Sequence, residues 1–338
     1  MPRTSHPIPT RLALGLLFAA SLLGLAEVGA RLSGITPAFR AEATGQWRMT
    51  PNLRGHLMQG MREPHNFQVT TNSDGFRTSA PKAGEDGQIR VALMGDSTVF
   101  GWGVEDDESI ASVAESSLQA LGFTNLHVLN MGQPGYSTGM AGWLFKGVVA
   151  EYKPDLTIVF ISMHDFNRTL LSDVERVYGP QGLSARTRSF LVKHVSLYEL
   201  LRRKIYPLAD RAQLLPNQKT SEARVERVSD KERALVLDQM NAVASQWGGR
   251  VAVGFLPFFS DLSDGAATHA STRLGMVQAS EWSATTGQTL YDLRHCCGPG
   301  AAERTFPFDH GHLNALGNRE VGVALAEDLR EHLLPQLK

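Results

Sequence analysis

The stretch Ile89-Arg-Val-Ala-Leu-Met-Gly-Asp-Ser97 runs from apolar residues into a small polar turn. A serine hydroxyl placed there can attack a carbonyl if a base takes its proton and an acid orients the base. Asp309-His-Gly-His312, near the other end of the chain, offers both. Asp309 is expected to hold one imidazole nitrogen of His312 while the other faces Ser97. Phe306, Pro307 and Phe308 would shield the carboxylate from water and strengthen that contact. His310 is read as a structural neighbour. A tetrahedral intermediate also needs donors for its oxyanion. Asn130-Met-Gly-Gln-Pro-Gly135 brings a glycine N–H, and Ser162-Met-His164-Asp165 brings a polar side chain.

These groups can meet only if the chain delivers them to one edge. Strand patterns fall at 89–94, 126–131, 156–161, 251–256 and 289–293. Helical patterns lie at 108–121, 139–151, 231–247, 270–286 and 314–334. Alternation of this kind predicts an α/β fold with a parallel sheet covered on both faces. Right-handed crossovers then place every strand's carboxyl end on one edge, where such folds bind ligands. Glu105 to Glu108 supplies acidic residues suited to a helix start. Residues 33–88 form an extension without helical period. Within it Thr70-Thr-Asn-Ser-Asp-Gly-Phe-Arg77 carries dense turn chemistry, so Asn72 and Asp74 are read as turn residues. Residues 168–230 are too long for a simple crossover. They are read as an insertion that is either a lid or acyl-chain wall or a packed decoration, with an amphipathic stretch at 189–206.

The ordered blocks resemble those of the SGNH, or GDSL-like, hydrolase family. Gly95-Asp96-Ser97 is similar to its first block, Asn130 to Gly135 to its second, and Asp309-x-x-His312 to its fifth. The resemblance implies a three-layer α/β/α sandwich with a five-stranded, flavodoxin-like parallel sheet over residues 89–338. It implies ester or acyl-transfer chemistry with Ser97 as nucleophile, His312 as base, Asp309 as its orienter, and the Ser97 and Gly135 amides as oxyanion donors. The third block departs: the family's Gly-x-Asn-Asp is Ser162-Met-His164-Asp165 here. His164 is the expected substitute donor. Asp165, by a one-residue shift, or Asn167 could be accessory, and Asp96 is read as a turn residue.

Three rival readings of these residues exist. Gly135-Tyr-Ser137-Thr-Gly139 reads as Gly-x-Ser-x-Gly, but Gly132-Gln133-Pro134 separate it from the strand that such an elbow requires. Asp96, His164, Asp165, His310 and His312 could converge on a metal, yet no tight ligand pair on a helix accompanies them. A non-catalytic, membrane-tethered binding module is the third. No metal or other cofactor is expected.

The chain has 338 residues, 42% of them hydrophobic, and a formal net charge of −1, which gives no reason to expect a nucleic-acid partner. The adjacent Cys296 and Cys297 are read as thiols rather than a structural disulfide. Leu12 to Ala26 carries no charge and follows Arg3 and Arg11. A run of about 19 residues, at roughly 1.5 Å each, is long enough to cross a bilayer core. Residues 1–32 are therefore expected to be a membrane anchor with the remainder outside a bacterial cytoplasmic membrane, or a signal cleaved near Val28-Gly29-Ala30. Glu27, inside that cleavage region, favours the anchor. The expected activity is removal of an acyl group, often acetyl, from a carbohydrate or lipid ester. Transfer of the acyl group to a glycan hydroxyl is the alternative.

Overall fold

A computed structural model describes residues 8–32, 38–42, 46–59, 66–82, 87–169, 171–178, 187, 190, 191, 195, 197, 198, 225–262, 270–294, 296–298, 300–307, 309 and 311–333. The chain separates into two compact units: residues 1–47 with 181–220, and residues 48–180 with 221–338.

The larger unit is built on five parallel strands: β1 (Ile89–Met94), β2 (Leu126–Asn130), β3 (Leu156–Phe160), β4 (Arg250–Phe255) and β5 (Leu290–Asp292). Their spatial order is 2-1-3-4-5, the flavodoxin-like arrangement. Val91 lies opposite Val128 on β2 and Leu156 on β3, so β1 is paired on both edges. Its residues from Arg90 to Met94 are all buried, which is why it reads as an unbroken apolar run rather than an alternating one. The order reverses between β1 and β3, the place in the sheet where such folds bind ligands beyond the carboxyl ends of the strands.

The crossovers are helical. A one-turn helix α1 (Ser97–Phe100) follows β1, and α2 (Ile110–Ala120) starts on a Ser109 cap after a short 3-10 turn at Asp106–Glu108. Beyond β2 comes α3 (Thr138–Gly147); α4 (Asp230–Ala244) precedes β4, α5 (Ala270–Thr286) precedes β5, and α6 (Ala315–His332) closes the fold. Ile110, Ala111, Ala114 and Leu118 of α2 join Val321, Leu325, Ala326 and Leu329 of α6 in the core that covers one face of the sheet. The expected α/β/α sandwich is the observed fold. The sequence reading missed α1 and began the next helix slightly early: the acidic residues form the 3-10 turn, and Ser109 accepts the N–H of Ser112 to cap the helix proper.

Residues 48–88, read from sequence as an extension, belong to the same unit as the sheet. Asn72 is a turn residue, as expected: its Oδ1 accepts the N–H groups of Asp74 and Phe76, and its Nδ2 donates to Tyr152. Gly75 has φ 82, and a Cβ there would lie 2.2 Å from the Met49 carbonyl oxygen, so only glycine fits. Arg77 is buried and donates to the carbonyls of Phe100, Gly101 and Val104 and to Asp106. The extension thus clamps the segment that follows Ser97.

The excursion between β3 and α4 leaves and returns through a short antiparallel ladder, Arg168 opposite Glu226 and Thr169 opposite Val225. Most of the 168–230 stretch expected as a lid, acyl-chain wall or packed decoration, including most of the amphipathic part at 189–206, lies outside the described residues. In the smaller unit, the helix Ile8–Leu32 contains an 18-residue window of mean hydropathy 1.8, long and apolar enough to cross a membrane. Its Glu27 accepts the N–H of Leu197 at 2.7 Å.

Candidate active site

Ser97 opens α1 immediately beyond β1. Asp96 is the cap of this helix, its side chain accepting the Thr98 N–H at 2.9 Å. That bond stabilises the sharp change of direction and leaves the Ser97 N–H, the first of the helix, free of a helical partner. Thr98 donates to the Gly311 carbonyl at 3.3 Å, fastening the C-terminal loop to the turn.

On that loop, Asp309 Oδ1 accepts the N–H groups of Gly311 and His312, each at 2.7 Å. Its other oxygen lies 2.9 Å from His312 Nδ1, and His312 Nε2 lies 2.8 Å from Ser97 Oγ. Burial pushes the Asp309 carboxyl up, but the His312 hydrogen bond and charge and the two backbone N–H groups outweigh it and hold the group down at about 2. Asp309 is therefore an anion at neutral pH and fixes a proton on Nδ1, leaving Nε2 as the acceptor toward Ser97. The Trp102 ring stands 6.4 Å from the His312 ring, centre to centre, and walls one side. The expected aromatic shield is built differently: Phe306 packs on Phe259 in the core, Pro307 is exposed, and Phe308 and His310 lie outside the described residues.

The loop after β2 lies directly against α1. Asn130 Oδ1 accepts the Gly132 N–H, and its Nδ2 donates to the Phe100 carbonyl. A Cβ on Gly132 would sit 2.4 Å from the Phe100 nitrogen, so glycine permits the approach. Gln133 ties this loop to the Gly95 carbonyl through its N–H and to Met49 and Gly75 through its side chain. Gly135 adopts φ 79, and its carbonyl accepts Arg227 Nη2 at 3.0 Å.

After β3, Ser162 caps the 3-10 turn Met163–Phe166. His164 Nε2 is 3.6 Å from Asp96 Oδ2, longer than a hydrogen bond, and Asn167 Nδ2 lies 3.3 Å from His164 Nδ1. An amide NH2 can only donate, so Nδ1 accepts and the neutral ring carries its proton on Nε2. Burial lowers the His164 pKa, against the opposing pull of Asp96 and with the help of Arg227. A neutral imidazole with an Nε2–H is a competent donor.

The geometry gives Asp165 a different place from the accessory role considered for it. Its carboxylate is fully buried and takes the Thr138 N–H, the Thr138 hydroxyl and Arg233 Nε, so both of its oxygens are engaged in holding α3 and α4. Ser137, the rival serine, is the cap of α3 and donates to Asp173 at 2.6 Å. Among the described residues no three His, Cys, Asp or Glu side chains gather where they could hold a metal ion. Cys296 and Cys297 are free thiols with sulfurs 3.1 Å apart. Arg227, Asp173 and Arg233 were not singled out from the sequence. Their only signal is charged residues bounding a long connection, and the partners that tie them to the strand-end loops, Ser137, Gly135 and Asp165, lie 36 to 92 residues away.

The profile of the GDSL-like Lipase/Acylhydrolase family matches residues 93–275. Similar solved folds include a lipase/acylhydrolase from Enterococcus faecalis, 14% identical with TM-score 0.44 and covering 73% of this chain and 98% of that one. An acetylxylan esterase from Geobacillus stearothermophilus is 13% identical with TM-score 0.43, covering 74% and 96%. The esterase EstA from Pseudoalteromonas sp. is 10% identical with TM-score 0.44, covering 72% and 98%. A search of curated proteins found no match. The profile spans more than half of the sequence and contains Ser97 and the loops after β2 and β3, and the chain belongs to the GDSL-like lipase/acylhydrolase family of ester-hydrolysing enzymes.

Proposed function

We propose that the protein is a serine esterase that removes an acyl group, acetyl in the simplest case, from a carbohydrate or lipid. The observation that carries this reading is the unbroken chain from Asp309 through His312 to Ser97, with contacts of 2.9 and 2.8 Å. Ser97 Oγ attacks the ester carbonyl as His312 Nε2 takes its proton. The N–H groups of Ser97 and Gly135 and the Nε2–H of His164 receive the oxyanion. The imidazolium returns the proton to the departing alcohol, leaving an acyl-enzyme. A water then loses a proton to His312 and attacks the acyl carbon; as the bond to Ser97 Oγ breaks, His312 gives that proton to Oγ and the acid leaves. The N-terminal helix anchors the enzyme on the outer face of a cytoplasmic membrane; the bond from Leu197 to Glu27 supports retention of that helix after export.

The test is turnover of p-nitrophenyl acetate and labelling by a fluorophosphonate. Wild-type protein should hydrolyse the ester and carry the label on Ser97, and Ser97→Ala should do neither. Full activity in Ser97→Ala would overturn the assignment, and a folded wild type that takes no label would leave a binding module in its place. Adding a sugar acceptor separates hydrolysis from acyl transfer, which would divert the acetyl group onto the sugar.

A further inference from the structure

We infer that Arg227 is a positioning residue that braces two oxyanion-hole loops against each other from the return limb of the 168–230 excursion. The inference rests on reading Gly135 and His164 as oxyanion donors.

Arg227 follows the Val225–Glu226 strand of the antiparallel stem. Its backbone N–H donates to the Asn167 carbonyl at 2.8 Å, and its own carbonyl accepts the Asp173 N–H at 2.6 Å. The first of these bonds fixes the loop that carries His164. The side chain crosses to the other loop: Nη2 donates to the Gly135 carbonyl at 3.0 Å while Nε donates to Asp173 Oδ2 at 2.7 Å. The same Asp173 oxygen accepts the Ser137 hydroxyl at 2.6 Å, two residues beyond Gly135. The Arg227 and Asp173 side chains are 9% and 0% exposed.

Glycine has the widest backbone freedom of any residue, and Gly135 at φ 79 sits where few others settle. Left alone, the peptide around it would sample several orientations, only some of which aim its N–H at a developing oxyanion. A desolvated guanidinium on its carbonyl selects one. Donors held before the reaction lower the barrier most, because nothing has to reorganise as charge develops. Pairing with Asp173 does not require the reach to Gly135, since Nε alone makes that contact. Arg227 also sits close enough to His164 to help keep that ring neutral. One residue therefore holds the loops after two different strands, the His164 loop through its backbone N–H and the Gly135 loop through its side chain.

Arg227→Lys is the informative variant. It keeps a positive charge beside Asp173, but one ammonium on a flexible stem cannot reproduce a planar fork with separate nitrogens on Asp173 and Gly135. With p-nitrophenyl acetate, kcat should fall about 10- to 100-fold while KM stays within about twofold. Inhibition by phenylboronic acid, which forms a tetrahedral adduct on the serine, should weaken by a similar factor. The thermal midpoint should stay close to wild type. Asp173→Asn, whose amide oxygen can still accept from Ser137 and from Arg227 Nε but which lacks the negative charge that holds the guanidinium, should show a smaller loss of the same kind and decides the matter if the lysine variant does not fold. Wild-type kcat in the folded variants would overturn the inference, as would kcat, KM and thermal midpoint changing together, the mark of a purely structural arginine. Activity surviving Ser97→Ala would sink the esterase reading itself, a separate outcome.

Discussion

Asp309→Asn tests the site at its most defined contact. The asparagine oxygen can keep both backbone bonds from Gly311 and His312. Its NH2 group then faces Nδ1, where it needs an acceptor. The imidazole proton must move to Nε2, the atom that has to accept from Ser97. Two losses combine. The carboxyl is held from its ordinary 3.8 down at about 2 despite burial, chiefly by the bond to His312. At 1.36 kcal/mol per pKa unit this is about 2.4 kcal/mol, and because the asparagine keeps the two backbone bonds that supply part of it, the loss from this source is at most roughly 60-fold. The misplaced tautomer adds the rest, and kcat for p-nitrophenyl acetate should fall about 10³- to 10⁴-fold in total. Circular dichroism should show the fold intact. A variant that keeps more than about a tenth of wild-type kcat would refute the tautomer argument. Stability follows the same linkage. A carboxyl with a depressed folded pKa contributes its full stabilisation above the unfolded value and loses it as pH falls through the folded value. The wild-type advantage over Asp309→Asn in urea should therefore be full above about pH 5 and fade toward about pH 2.

Ser137→Ala removes the α3 cap and the bond to Asp173, so the protein should lose about 1–3 kcal/mol in urea denaturation while kcat stays within about tenfold of wild type. Loss of all activity in a folded Ser137→Ala protein would revive the Gly-x-Ser-x-Gly reading. Arg77→Met leaves the Val104 carbonyl without this donor and takes one donor from the Phe100 and Gly101 carbonyls, and should cost about 2–3 kcal/mol, read as a lower urea midpoint. A cost below about 1 kcal/mol would mean that the segment after Ser97 is held by its own packing.

The sheet was legible because its strands are short apolar runs separated by helical periods. The run around Val91 is continuous for the physical reason that both faces of β1 are covered. Ser97, Asp309 and His312 were legible because each sits in a short block whose residue types suit one reaction, and the structure brings all three within hydrogen-bonding distance. What the sequence hid is the scaffolding. Nothing local distinguishes Arg77, which serves carbonyls 23 to 27 positions away, from a solvated arginine. Asp165 resembled a site residue because it stands beside His164. Only the fold reveals Arg233 and Thr138 closing around it. The one-turn helix at Ser97 is too short for any period to register, and it exists because Asp96 caps it and Gly101 ends it at φ 80.

The ladder pairing Thr169 with Val225 has an architectural consequence. Paired strands lie about 5 Å apart, so the main chain exits and re-enters the scaffold at neighbouring points. Whatever spans that gap is grafted on like a graft on rootstock. Beyond Asp173, which Ser137 and Arg227 tie to the scaffold, its length can change at little cost to the sheet, since closing a longer loop adds only a fraction of a kcal/mol per doubling, about 0.6. The junction thus lets the connection vary in length while the Arg227 and Asp173 contacts that flank it stay in place.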